Sequence, residues 1–508
     1  METEIDKKER SDWRLSAALK GTARKFLWDH SAFRCCYFLS LFLSSLCFVE
    51  LGFQILTGVT MVWSVLILID IFRRLYPRKN LKYFGLLCAF VACGLATALL
   101  HAEDNLVTNL VMMYHVAVCF FIVYGMHSER DKEKVRREMF FMAKILAFLI
   151  TVFAAAGLLA AFLFTRVKAF SYCIGLMDNR FTGLYTNPNI AAYVSVVGLV
   201  CIHLMYGKSR GGAEKRELPR WFLNLGIAVN VLTVLLSDSN ASMVFLLVYG
   251  TAFLFTRMYR KNGFSKGKIL VRKTVLVLLV ALTASVGCFA LREVSQYGMA
   301  QAINALHKSG TTVVTSDAAT SASEVLVTIG RDGNYELSSG RLDSLQKAMV
   351  LYQKNPIMGI GKGNILEYGN RYLARGFQFF DLHNGYLTIL ISCGTVGLGL
   401  FLAFAVLAAR KVMKAVFRRY SQRGERELVI LFCSLCAYAV YALFERALLF
   451  DITFMVVSFW MLFGYTMNET LIEEPFLCPV TVRSRVKKAK EPVGALPALT
   501  RRTGNDII

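Results

Sequence analysis

The sequence LHNGYLTILISCGTVGLGLFLAFAVLAA, residues 382–409, joins a polar segment to an apolar run. Residues 386–409 contain no charged side chain and are long enough to cross the hydrocarbon core of a bilayer as a helix. Residues 292–381, on the other side of this boundary, do not fit any membrane-spanning pattern. The sequence therefore predicts a membrane protein whose functional part is this large loop, which ends at residues 382–386.

The composition supports the same class of protein. The chain has 508 residues, 56% of them hydrophobic, and a mean hydropathy of +0.48. The formal charge of +23 comes from Lys and Arg clusters between apolar runs, which is typical of the cytoplasmic loops of membrane proteins. The thirteen cysteines fall mostly inside apolar runs, where a thiol behaves as a small hydrophobe. We therefore expect membrane lipids as partners, no nucleic acid, and no metal or other cofactor.

Apolar runs of span length predict an all-α polytopic membrane protein with about 12 transmembrane helices. Residues 35–72 are too long for one crossing and predict a helical hairpin joined near Thr57 and Gly58. The other spans are predicted at residues 81–100, 106–126, 139–164, 190–206, 221–236, 242–255, 270–291, 386–409, 428–442 and 449–465.

Basic connections alternate with acidic or neutral ones, and this alternation predicts that both termini are cytoplasmic. Residues 1–33 lack the apolar core of a removable signal peptide, so we expect the first span to direct insertion. The predicted regions are a basic cytoplasmic N-terminal segment (1–33), transmembrane helices 1–9 (34–291), an extracytoplasmic loop (292–382), transmembrane helices 10–12 (383–466) and a basic cytoplasmic tail (467–508).

The large outer loop contains an amphipathic helical pattern. Its apolar positions recur at three- and four-residue steps, and the pattern stops at Asn355-Pro356. These positions are Leu342, Leu345, Met349 and Tyr352. Residues 307–336 are rich in Ser and Thr and predict a mobile flap. Gly359, Gly361 and Gly363 predict a flexible return segment.

Residues 179–189, NRFTGLYTNPN, lead into another span from the predicted outer side. Asn187-Pro188 favours a turn, and Asn189 is the predicted helix cap. Arg180 then lies at the outer membrane face. An arginine there is either an anchor for bulk lipid phosphate or a catalytic contact, and spacing alone leaves both readings open.

Three further residues have two readings each. Arg341 is either a solvated charge or, with Arg180, part of a guanidinium clamp for phosphate oxygens. His383 is either an interfacial histidine near a helix start or a group that activates a hydroxyl nucleophile. Arg446, beside Glu445 in the turn between the last two spans, is either a charge at a membrane interface or a substrate contact.

The order of several short motifs resembles the O-antigen ligase and polymerase family over residues 35–466. These motifs are Arg180-x-x-Gly183, Asn187-Pro188-Asn189, Gly340-Arg341, Pro356…Gly359-Ile360-Gly361, His383-Asn384-Gly385-Tyr386-Leu387 and Gly394-Thr395-Val396-Gly397-Leu398. The resemblance implies glycan transfer from a polyprenyl-diphosphate carrier on the outer face of the cytoplasmic (inner) membrane, without a metal ion. It also implies that Arg341 contacts the diphosphate and that His383 orients or activates the acceptor hydroxyl.

The sequence departs from the family at Asn240. Where family members commonly carry a Ser-Arg pair, this chain has Ser239-Asn240, and an amide supplies no charge. The predicted catalytic residues are His383, Arg341 and Arg180. The predicted substrate-binding residues are Asn187, Asn189, Asn240, Gly361, Asn384 and Arg446.

We therefore expect a glycosyltransferase, a ligase or a polymerase, whose partners are a polyprenyl-diphosphate-linked oligosaccharide and a glycan or lipid acceptor. The alternative from another class is a polytopic transporter or flippase of lipid-linked glycans. A peptidoglycan polymerase-like enzyme is a third reading with closely related chemistry. If substitution of Arg341 blocks polymer formation while the lipid-linked precursor still reaches the outer leaflet, the protein is an enzyme. A transporter predicts that the precursor stays inside.

Overall fold

The computed structural model describes residues 25–48, 50–74, 79–164, 166–169, 172–208, 218–262, 267–308, 327–330, 341–373, 382–417 and 425–472. The helices in these ranges are α1 His30–Leu43, α2 Glu50–Arg73, α3 Phe84–Leu100, α4 Leu106–Ala117, α5 Lys132–Phe164, α6 Pro188–Lys208, α7 Arg220–Leu236, α8 Asn240–Asn262, α9 Gly267–Lys308, α10 Arg341–Tyr352, α11 Ile365–Tyr372, α12 Gly385–Val416, α13 Glu425–Tyr441 and α14 Phe454–Ile472. Helix α4 continues as a π-helical segment, Val118–Val123, and a 3-10 turn, Tyr124–Ser128.

The helical, polytopic class predicted from the sequence is confirmed, since every predicted apolar run overlaps a described helix. Seven described helices are long and apolar enough to cross a membrane: α2, α4 with its extension, α5, α6, α8, α9 and α12. Helices α3 and α7 are apolar but shorter. Twelve crossings thus remain a prediction. The predicted tail lies outside the described residues after Ile472, as do most of the predicted flap and the first 24 residues of the N-terminal segment.

The first hairpin turns at a different place from the one predicted. Helix α1 ends at Leu43, and α2 has already begun at Glu50, so Thr57 and Gly58 lie inside α2. Gly58 does not interrupt α2, because breaking backbone hydrogen bonds in lipid is costly unless neighbouring protein groups satisfy them. The turn instead pairs with a distant segment, because Cys47 N donates to Leu184 O at 3.0 Å and Thr186 N donates to Ser45 O at 3.1 Å.

A small antiparallel sheet, which the all-α prediction did not include, lies between α5 and α6. Its strands are β1 Arg166–Ala169, β2 Tyr172–Met177 and β3 Arg180–Gly183, in the order β1-β2-β3. Asp178 and Asn179 form the turn between β2 and β3, and both have positive φ (50° and 57°). Two left-handed residues suit a tight hairpin, and Asp and Asn adopt this conformation more readily than most side chains. The turn places Arg180 at the start of β3.

The glycine-rich return segment is fixed in the protein interior, which contradicts the predicted flexibility. Ile360 N donates to Ile391 O (2.9 Å), and Gly361 N donates to Ser392 O (3.0 Å). Helix α12 is broken at Gly394 (φ 65°, ψ −170°), and the segment beginning at Pro356 fills the break. Irregular backbone at membrane depth persists where protein satisfies its polar groups, as it does here. The glycines therefore permit close packing of backbone on backbone.

Helix α10 ends before Asn355-Pro356, as predicted, but its buried face is shifted from the predicted one. Ala348 and Leu351 are fully buried, whereas Leu345, a predicted face residue, is 41% exposed. Ala348 and Leu351 pack in one cluster with Ile365 of α11 and Ile391 of α12, among others. The helix thus docks on its neighbours through a face shifted from the predicted one.

We expect Gly394→Ala to destabilise the protein by about 2 kcal/mol or more, because a left-handed backbone is unfavourable for alanine. A Cβ at this position also overlaps the carbonyl oxygen of Ile357. Thermal unfolding in detergent measures the effect. Gly399→Ala, in open space on the same helix, is the matched control and should unfold at the wild-type temperature or slightly above it. Equal unfolding temperatures for the two variants contradict the packing described for the break.

Candidate functional site

Four connections that the charge pattern assigns to the outer side meet around a cavity of about 630 Å³. The cavity lies between α1, α2, α6 and α14 and the segment 442–453. Its polar lining residues are Ser44, Ser45, Gln54, Thr57, Thr186, Asn187, Asn189, Tyr193, His383, Glu445, Arg446, Asp451 and Thr453. The apolar lining includes Leu41, Met61, Ile190, Val194, Ile452, Phe454 and Met455. The cavity therefore combines a polar, charged part with an apolar part between helices.

His383 is held at the entry to α12 by its neighbours in the chain. Its φ is 45°, a left-handed conformation that is uncommon for a residue other than glycine. The Oδ1 of Asn384 caps the helix by accepting from Tyr386 N and Leu387 N, both at 3.0 Å. Gly385 N donates to Ala442 O (2.8 Å), which joins this entry to the segment after α13. The chain directly after His383 is thus fixed by the helix cap and by the segment after α13.

The imidazole of His383 lies beside a buried carboxylate. Its Nδ1 is 3.4 Å from Oε2 of Glu445, a long contact between a side chain that is 40% exposed and one that is 9% exposed. A carboxylate in this position favours a proton on Nδ1 and leaves Nε2 as the acceptor. The pair has the composition and approximate spacing of a carboxylate-oriented general base.

Arg446 and Asp451 form the charged wall of the same cavity. Nη2 of Arg446 lies 3.5 Å from Oδ2 of Asp451, and both side chains are about a quarter exposed or less (21% and 26%). The segment 442–453, which bears both residues, is held by a hydrogen bond from α14, because Nε1 of the buried Trp460 donates to Leu448 O at 2.7 Å. This wall presents a guanidinium within reach of an anion in the cavity.

Asn187 and Asn189 line the cavity at the start of α6. Asn187, and not Asn189 as predicted, caps this helix, since its Oδ1 accepts from Asn189 N at 2.8 Å. Pro188 is then the first helical residue, a position where proline is favoured because it lacks an N–H. The side chain of Asn189 is left to accept from Nη2 of Arg180 at 2.6 Å. Arg180 itself does not line the cavity but contacts Asn189, which does.

Asn240, Gly361 and Asn384 are not among the residues that line the cavity. Asn240 begins α8, and its Oδ1 accepts from Arg292 Nη1 (3.0 Å), so a guanidinium reaches this turn although the sequence lacks the expected arginine there. Gly361 packs against Asn109. Asn384 serves as the helix cap described above. Arg341 is the first residue of α10, and its side chain lies outside the described residues.

Sequence reasoning missed Glu445 and Asp451 as members of the site. Glu445 is buried at a predicted membrane interface, where an ionisable side chain is costly unless it has a partner. Asp451 lies in a run predicted as part of the last span, but α14 begins only at Phe454. The presence of Asp451 inside a predicted apolar span was the sequence feature that could have indicated its place in the site. No group of three or more His, Cys, Asp or Glu side chains able to hold a metal ion occurs in the part of the chain that the structure describes.

Residues 225–402 match the family model of the O-antigen ligases. The resemblance predicted from the sequence is confirmed over this range, which contains the Asn240 turn, Gly361 and His383. The match supports an O-antigen ligase-like membrane glycan transferase with several spans. Asn187, Asn189, Glu445 and Arg446 lie outside the matched range and join the site through the fold. A search of curated proteins gave no match.

Proposed function

We propose that this protein transfers an oligosaccharide from a polyprenyl-diphosphate carrier to a hydroxyl of a glycan or lipid acceptor on the outer face of the cytoplasmic membrane. The observation that carries the proposal is the cavity that combines a histidine–carboxylate pair with a guanidinium and an apolar wall. A base and a cation in one cavity suit attack by a hydroxyl and departure of an anion. The O-antigen ligase match makes the lipid-linked glycan the favoured donor.

In this proposal His383 acts on the acceptor. Nε2 accepts the proton of the acceptor hydroxyl as its oxygen attacks the anomeric carbon of the donor. The bond from that carbon to the diphosphate oxygen breaks, and its electron pair leaves with the polyprenyl diphosphate. Glu445 stabilises the imidazolium that forms, because its carboxylate lies beside Nδ1.

Arg446 is the proposed contact for the departing diphosphate. A guanidinium donates two parallel hydrogen bonds to phosphate oxygens, and it gains strength where water is partly excluded. Arg180 supports the cavity wall through Asn189. Arg341 stays a further predicted contact from the start of α10.

The apolar part of the cavity suits the lipid of the donor. Met61, Val194, Phe454 and Met455 line the cavity together with the charged residues. Burial of isoprenoid methylenes against such side chains is favourable by about 0.8 kcal/mol per CH₂. A donor with a charged head and an apolar chain therefore matches both parts of the cavity.

We expect Glu445→Gln to lower the initial rate of transfer by about 100-fold or more, because an amide neither stabilises the imidazolium nor selects the Nδ1 proton. Rates over a range of pH, normalised to folded protein, measure the effect. Glu103→Gln, on an exposed turn between α3 and α4, is the matched control and should keep the wild-type rate. A wild-type rate for Glu445→Gln contradicts the proposed role of this carboxylate.

The decisive experiment reconstitutes the purified protein in vesicles with a defined polyprenyl-diphosphate-linked oligosaccharide and candidate acceptors. Mass spectrometry of the products identifies the acceptor, and so distinguishes a ligase from a polymerase. Transfer in the absence of other proteins supports the proposal. Movement of the intact lipid-linked glycan across the bilayer without product indicates a transporter and overturns it.

A further inference from the structure

Helix α9 extends well beyond what a membrane crossing needs. At about 1.5 Å per residue, Gly267–Lys308 is about twice as long as the hydrocarbon core of a bilayer. Its last part packs on the protein, since Met299 and Ile303 join a buried cluster with Phe181 of β3 and Leu236 of α7. The buried Gln296 donates to Leu235 O at 3.1 Å. The C-terminal part of α9 is therefore fixed against the end of α7.

Arg292 lies one turn before Gln296 and binds the connection between α7 and α8. Its Nη1 donates to Asp238 Oδ1 at 2.9 Å and to Asn240 Oδ1 at 3.0 Å. The Arg292 side chain is 17% exposed and that of Asp238 only 6%. The loss of one partner from so buried an ion pair leaves an uncompensated charge. This pair therefore holds the connection firmly in place.

The same connection holds Arg180. The backbone oxygen of Ser237 accepts from Arg180 Nε at 3.0 Å, and that of Asp238 accepts from Nη2 at 3.3 Å. Asp238 has a φ of 51°, a conformation that persists only where surrounding contacts impose it. The carboxylate of Asp238 thus binds one arginine while its carbonyl binds the other.

From these contacts we infer that Arg292 is a positioning residue that acts through residues 237–240 on Arg180. Arg292 sets the conformation of the connection, the connection orients the guanidinium of Arg180, and Arg180 donates to Asn189 in the cavity wall. The expected effect on catalysis rests on the proposed transfer activity. The expected effect on conformation does not.

The first test is a double-mutant cycle in the reconstituted transfer assay. Arg292→Ala should lower kcat/KM by about 10- to 100-fold in the wild-type background, because small displacements of a positioned group have effects of this size. In an Arg180→Ala background the same change should lower it by less than about 2-fold, since the group through which it acts is gone. Equal factors in the two backgrounds overturn the inference.

The second test does not depend on transfer. Hydrogen–deuterium exchange of Arg292→Ala should show at least about 10-fold faster exchange in peptides covering 178–183 and 236–240, since these amides lose the contacts that order them. Arg292→Lys, which keeps the charge next to Asp238, should recover part of the protection. Glu293→Ala, which removes the exposed partner of Arg292, is the control and should match the wild type in both tests.

Wild-type exchange at 178–183 in Arg292→Ala overturns the inference, whatever the activity. If the wild-type protein transfers no glycan, the proposed function fails. Faster exchange at both peptides in Arg292→Ala then still supports Arg292 as the residue that positions Arg180.

Discussion

Replacement of His383 by alanine is expected to lower the initial rate of glycan transfer by about 100- to 10,000-fold, the usual contribution of a general base. The variant retains the helix cap of α12, because Asn384 provides it. The loss should therefore fall on kcat more than on the amount of folded protein. Initial rates with a defined lipid-linked oligosaccharide, normalised to folded protein, measure it.

Two comparisons sharpen this prediction. His203→Ala removes a histidine that contacts Tyr249 inside the bundle, and it should leave the rate per folded protein unchanged. Added imidazole should restore part of the activity of His383→Ala, because the missing ring is 40% exposed and its space is open to small molecules. A His383→Ala variant with the wild-type rate rules out the proposed base.

Replacement of Arg446 by alanine is expected to lower kcat/KM for the lipid-linked donor by about 100- to 1,000-fold, as found when one preorganised contact to developing charge is removed. Two effects add here. The variant loses a donor to the diphosphate, and it removes the cation 3.5 Å from the Asp451 carboxylate in the cavity. Steady-state rates at varied donor concentration measure the change.

The double variant Arg446→Ala/Asp451→Ala separates these two effects. If repulsion by Asp451 contributes, the double variant is more active than Arg446→Ala alone. Arg446→Lys should lie between the wild type and Arg446→Ala, since lysine keeps the charge but not the planar pair of donors. Arg371→Ala, on the half-exposed surface of α11, is the matched control. An unchanged kcat/KM for Arg446→Ala removes this residue from the proposed diphosphate site.

The described arginines near the site fall into two groups according to whether they line the cavity. Arg446 lines the cavity itself. Arg180 and Arg292 lie behind it and meet at residues 237–240, where backbone oxygens and the Asp238 carboxylate hold them. Asn240 carries no charge where the family has an arginine, but Arg292 from α9 brings a guanidinium to this turn. The residue at position 240 alone does not predict this contact.

The sequence by itself determined the class of the protein and most of its helices. An apolar run of span length is a local property, and lipid requires such a segment to satisfy its own backbone as a helix. The end of α10 was also predictable, because Asn355-Pro356 acts on its immediate neighbours. Helix ends and turns that depend on pairing with distant segments could not be predicted from the sequence. The turn after α1 depends on residues 184–186, and the fixed return segment depends on the break in α12.

For the candidate site, the sequence identified His383, Asn187, Asn189 and Arg446 from their positions at helix ends. These are local signals of capping, turn formation and the cost of a charge near lipid. Only the tertiary structure decided which of them meet, because their contacts join connections that are far apart in the chain. Glu445 lies beside His383 in a structure in which Gly385 N also donates to Ala442 O. A histidine at a helix entry and a glutamate 62 residues later carry no local mark of their pairing, since packing of whole helices creates it.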